Sequence, residues 1–162
     1  MDRQAIFNQV QDHLRYQGVK CFDHYTSNEF HKTQQCRYRS LDGTQACAFG
    51  VLIPKELYRP AFEGYKCSSI LDMEPKLREI LGVIESEDIA FLLELQSAHD
   101  YFMPSILEGS LYRWEQKMLS IADNYGLWFN PPSESREGKQ KVQEAIKKAA
   151  EVEAEILVEA QS

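Results

Sequence analysis

A chain of 162 residues with 43% hydrophobic and 27% charged content has the size and balance of one soluble globular domain, or one domain with an appendage. Its net charge of -7 repels phosphate backbones and argues against general nucleic-acid binding. No apolar run approaches the roughly 20 residues that span a bilayer, and Met1-Asp2-Arg3-Gln4 lacks the basic-then-apolar layout of a signal peptide, so cytoplasmic residence away from membranes is expected.

In that compartment Cys21, Cys36, Cys47 and Cys67 are expected as reduced thiols. None forms a Cys-x-x-Cys pair, so redox and zinc-knuckle patterns are absent.

Residues 2–17 read as a helix, with Asp2 as N-cap, an apolar stripe of Ile6, Phe7, Val10 and Leu14, and Gly18 as a left-handed stop. Val19 to Tyr25 has the composition of a short strand, and Thr26 to Gln35 that of a polar loop. Cys36 to Phe49 reads as a β-hairpin, because Asp42-Gly43 supplies the positive φ of a tight turn. A turn over Ser40 to Gly43 sets Cys36 opposite Cys47, and a bulged turn shifts that pairing by one. Pro54 then fits the first turn of a short helix, which Pro60 and Gly64 interrupt.

Further helices are predicted over 74–81, 87–102 and 111–125, the last two capped by Ser86 and Ser110. The apolar band of the 87–102 helix is broad, which suits a central position. Asn130-Pro131-Pro132-Ser133 is the clearest boundary. Residues 1–130 thus form a compact unit, 131–135 a Pro/Ser linker, and 136–162 a long charged helix with a thin apolar stripe, docked on the domain or pairing with a second copy as a homodimer. The expected fold is α+β: mainly helical, with one β-hairpin or small antiparallel sheet, plus the C-terminal helix.

Three constellations carry possible chemistry. Cys47 ends a predicted strand ahead of a helix, where peptide dipoles favour a thiolate. His99 is its natural base, with Gln96 or Asp100 orienting the ring. Adjacent helical residues point apart, which favours Gln96, one turn earlier, over Asp100. Set against this, free cysteine is commonly a small buried hydrophobe. Arg37 and Arg39 flank Tyr38 and suit an anionic ligand, and Tyr58, Glu63 and Tyr65 are placed to rim a pocket beside them. His24, His31, Cys36, Cys47 and His99 are enough donors for zinc, but their spacing matches no closed site. No metal or cofactor is expected. Gly43, Gly50 and Gly64 make no phosphate loop, and the Gly-x-Ser-x-Gly and His-Glu-x-x-His motifs are absent.

The pattern Cys36-x-Tyr38-Arg39-x-x-Asp42-Gly43-x-x-x-Cys47-Ala48-x-Gly50-x-Leu52-Ile53-Pro54, followed by Leu95-Gln96-x-x-His99-Asp100, resembles a family of small bacterial and phage proteins with no assigned activity. The likeness covers roughly residues 1–128 and implies that the hairpin and the His99-Asp100 turn share one domain. Its phage setting suggests a role in phage–host conflict. The expected function is a binding protein acting on a host protein or small ligand; the alternative is a Cys-His thiol hydrolase or transferase.

Overall fold

A computed structural model describes residues 1–21, 36–104 and 110–131. The strand expected from Val19 lies largely outside these residues, as do His24, His31, the polar loop to Gln35, most of the Pro/Ser linker and the whole 136–162 helix.

Helix α1 spans Arg3–Gln17. It starts where Asp2 Oδ1 accepts the Ala5 N–H at 2.7 Å and stops at Gly18, whose φ of 73° is left-handed. Its stripe of Ile6, Phe7, Val10 and Leu14 is buried. Two short helices follow a central loop: α2 (Cys67–Met73), which the sequence reading missed, and α3 (Pro75–Leu81). Helix α4 (Ser86–Phe102) packs on α5 (Tyr112–Tyr125), α1 and α2, as a central helix should.

Polar ties fix these helices against one another. The Arg15 guanidinium forks onto both Glu115 oxygens at 2.6 and 2.8 Å, joining α1 to α5. Arg3 reaches Asp88 and Glu87, joining the starts of α1 and α4. Asp88 also closes a capping box with Glu85 and accepts the N–H groups of Ile84 and Glu85 at 2.9 and 3.0 Å.

The expected β-hairpin is not formed, and the α+β assignment is corrected: the described residues are mainly helical, with no strand or sheet. An isolated antiparallel bridge joins Arg39 to Ala46. Its register sets Tyr38, not Cys36, against Cys47, whose N–H donates to the Tyr38 carbonyl at 3.1 Å. The physical reason is that side chains take the Tyr38 and Gln45 N–H groups, the donors that would extend the ladder on either side of the bridge, and also tie down the outward N–H groups of Arg39 and Ala46. The Glu63 carboxylate accepts the N–H groups of Tyr38 and Arg39 at 3.0 and 3.1 Å. Gln17 Oε1 accepts the Ala46 N–H at 2.9 Å. In the turn, Asp42 Oδ1 takes the Thr44 N–H and the Ser40 and Thr44 hydroxyls, and Ser40 Oγ takes the Gln45 N–H.

Beyond Cys47 the chain coils into a 3-10 turn, Gly50–Leu52, four residues before the helix start expected at Pro54. A second 3-10 turn, Pro60–Phe62, begins at the proline read as a breaker. The first turn lies so near Tyr38 that a Cβ at Gly50 would sit 1.8 Å from the Tyr38 carbonyl oxygen. At Gly43, with φ of 70°, nothing lies within 4 Å of that position.

Gly50→Ala is therefore expected to cost about 3 kcal/mol or more, and Gly43→Ala only about 1 kcal/mol for the left-handed backbone. Urea unfolding of both variants checks this, and equal losses would contradict the close approach.

The N–H groups of Glu85 and Ile84, backed by Arg3, hold the Asp88 carboxyl down at about 2. A depressed carboxyl contributes stability fully above its unfolded value of about 3.9, and loses it as pH falls through the folded value. The stability gap between wild type and Asp88→Asn should thus narrow as pH drops from about 4 to about 2; a gap that stays constant in acid unfolding would count against this cap.

Candidate functional site

The loop from Tyr38 to Ile53 and the C-terminal half of α4 bring the sequence-selected residues into two groups. The first centres on Glu63. Besides the two N–H groups above, its carboxylate accepts the Tyr58 hydroxyl at 2.8 Å. Burial, then Glu63, pushes that phenol up to about 12. The Arg39 guanidinium lies 5.1 Å from the Tyr58 ring centroid and donates through Nη2 to the carbonyls of Gly50 and Ile53. Arg37 Nε donates to the Arg39 carbonyl at 3.3 Å, and Arg37 also hydrogen-bonds Tyr58. Tyr65 enters through its backbone, accepting the Tyr38 hydroxyl, while its own ring is exposed. So Arg37, Arg39, Tyr58 and Glu63 meet, and much of their bonding capacity goes to one another and to the loop backbone.

The second group centres on Asp100, at the end of α4. Its Oδ1 accepts Gln96 Nε2 at 2.7 Å and lies 2.9 Å from His99 Nδ1. Gln96 Oε1 in turn accepts the Phe49 N–H at 3.0 Å. His99 is fully buried, and its Nε2 accepts the Cys21 N–H at 3.0 Å. That bond fixes the tautomer: Nε2 carries the lone pair, so Nδ1 carries the proton and donates to Asp100. Asp100 thus does orient His99, against the argument from helix geometry, because the ring's Nδ1 reaches its C-terminal neighbour. Gln96 holds Asp100 rather than the imidazole.

Cys47 is wholly buried, and Sγ accepts the Gly50 N–H at 3.3 Å. Burial raises its thiol well above the ordinary value, outweighing that N–H. The dipole expected from a following helix is only that of a single 3-10 turn. No hydrogen bond joins Cys47 to His99 among the described residues, and the lone pair of His99 already faces Cys21. Cys36, half-buried, hydrogen-bonds Asp100; burial first, then that carboxylate, pushes its thiol up to about 12.

Donor atoms of Cys36, His99 and Asp100 lie within 4.8 Å of one another, the spacing of a metal ligand set. The chemistry does not fit. A metal on His99 Nδ1 would have to displace its proton while Nε2 keeps the Cys21 N–H, leaving an imidazolate. Cys36 would have to ionise beside a carboxylate. The cluster is a hydrogen-bonded hub that pins α4 to the loop.

Sequence reasoning missed His13 and Gln17, one turn apart on α1. His13 Nε2 lies 3.1 Å from Gln17 Oε1 and 3.3 Å from the Ala46 carbonyl, so it donates between them. Burial lowers the imidazole below its ordinary value, against the pull of the Ala46 carbonyl. The i, i+4 spacing of two polar residues on one helix face was the available signal. Comparison of the chain with family models, with curated proteins and with solved structures gives no match.

With its thiol at about 12, Cys36 should react with iodoacetamide at pH 8 on the order of a thousandfold more slowly than a free cysteine. Cys47 should not react until the chain unfolds. Peptide mass mapping before and after denaturation checks both; native labelling of Cys47 at the rate of a free thiol would overturn the assignment.

Proposed function

We propose that this chain is a non-enzymatic binding protein of the bacterial or phage accessory kind, engaging a host protein or a small ligand through a preformed surface. The observation that carries the reading is the state of Cys47: sealed in the core, with its thiol raised and no base bonded to it among the described residues. The residues that suited catalysis are engaged in holding the loop to α4, with Gln96 on Phe49, His99 on Cys21 and Asp100 on both side chains. A thiol hydrolase or transferase draws no support from that arrangement.

The bacterial or phage setting rests on the resemblance of the Cys36–Pro54 motif, and a part in phage–host conflict rests on the same ground. Four free cysteines suit a reducing cytoplasm, and no described helix is long and apolar enough to cross a membrane. A net charge of -7 favours a basic face on a protein partner.

The test compares wild type with Cys47→Ser. Neither should hydrolyse p-nitrophenyl acetate or an acyl thioester above the buffer rate, and both should retain the same partner from bacterial lysate. A variant reversing two exposed charges, Glu56→Lys with Glu79→Lys, should lose that partner while staying folded. Turnover that vanishes with Cys47→Ser would sink the reading.

A further inference from the structure

A cleft of about 350 Å³ opens where α1, the Gly43–Ala46 turn and the Val51–Lys55 segment meet. We propose that it binds a small organic anion: an oxyanion head, carboxylate or phosphate, on a short apolar body. This deepens the binding-protein reading and rests on it.

The cleft gathers positive charge in an acidic protein. Arg39 and Lys55 supply it, and His13, whose imidazole burial holds toward the neutral form, lines the cleft beside them. Arg39 is half-buried and fixed: Nη2 is tied to two carbonyls, and Tyr58 lies beneath the guanidinium. Yet no carboxylate pairs with it among the described residues. Glu63, the nearest candidate in the network, turns its oxygens to the Arg39 N–H and the Tyr58 hydroxyl instead. Arg39 Nε is buried with no acceptor, and Nη1 makes no hydrogen bond among the described residues. A partly desolvated guanidinium without a counter-charge is costly, and an incoming oxyanion would relieve that cost.

Lys55 is exposed at the rim and carries no ion pair among the described residues. His13 also lines the cleft and bonds through Nε2, and its Nδ1 makes no hydrogen bond among the described residues. Asp42, the acid of the adjoining turn, is folded back on Ser40 and Thr44. Val51, Ile53 and Pro54 supply apolar wall, which is why a bare inorganic ion is the poorer fit. Another cleft, of about 380 Å³ between the start of α1 and the α3–α4 connection, lacks this character, because its arginine, Arg3, is paired with Glu87 and Asp88.

The test titrates the full chain with benzoate, phenyl phosphate, inorganic phosphate and the neutral control benzamide, followed by amide NMR. Benzoate or phenyl phosphate should produce saturable shifts at Gly43–Ala46 and at Val51, Ile53 and Lys55, and whichever binds more tightly identifies the head. Inorganic phosphate should bind more weakly and benzamide not at all. Lys55→Glu, a rim change that leaves the core intact, should weaken binding about tenfold. Arg39→Lys should weaken it too, and if that variant fails to fold, the Lys55→Glu result decides. Saturation by neither organic anion, equal binding of benzamide, or undiminished binding by Lys55→Glu would overturn the proposal. Such a result leaves the binding-protein reading standing, whereas Cys47-dependent turnover removes that reading without silencing the titration.

Discussion

The backbone of Gly50 meets the backbone of Tyr38 with no room for even a methyl group between them. That approach folds the Ala46–Ile53 segment back across Tyr38 and Arg39. It turns the carbonyls of Gly50 and Ile53 toward the Arg39 guanidinium, and it carries Cys47 and Phe49 into the core. Phe49 then packs edge-on against Tyr38, ring centroids 5.6 Å apart. A side chain at position 50 would separate the two segments and release these contacts together.

Buried polar groups do in this loop what a β-ladder does elsewhere. Several backbone donors in and around the loop find a side chain from a distant part of the sequence: Glu63 for Tyr38 and Arg39, Gln17 for Ala46, Gln96 for Phe49, His99 for Cys21. Buried N–H groups must be satisfied, and a satisfied network specifies one arrangement of the loop. The cost falls on the catalytic candidates His99 and Cys47. A histidine whose lone pair accepts a backbone N–H is no base, and a thiol closed off from water stays protonated. On the outer side of the same loop Arg39, anchored by the core, lines a cleft that holds no acid among the described residues.

Much of the helical scaffold was legible. Asp2 and Gly18 mark the ends of α1, Gly82 and Gly126 those of α3 and α5, because capping and left-handed glycines act within a few residues. Helix α2 escaped notice because its seven residues follow Lys66, which offers no side-chain cap. The hairpin was misread for a related reason. Asp42-Gly43 does make a turn, but a turn fixes only its own geometry. Whether the arms pair depends on what else competes for their N–H groups, and Glu63, which takes that of Tyr38, lies well outside any local window.

The candidate residues divide along the same line. The sequence alone singled out Arg37, Arg39, Tyr58, Glu63 and Tyr65 for a ligand, and Cys47, His99, Gln96 and Asp100 for the alternative thiol chemistry, since residue type and short-range spacing are local properties. Tertiary structure decided what each one does. The direction of a lone pair, the burial of a sulfur and the partners of a guanidinium depend on groups brought together from α1, the loop and α4, and only the folded chain sets those groups within hydrogen-bonding range.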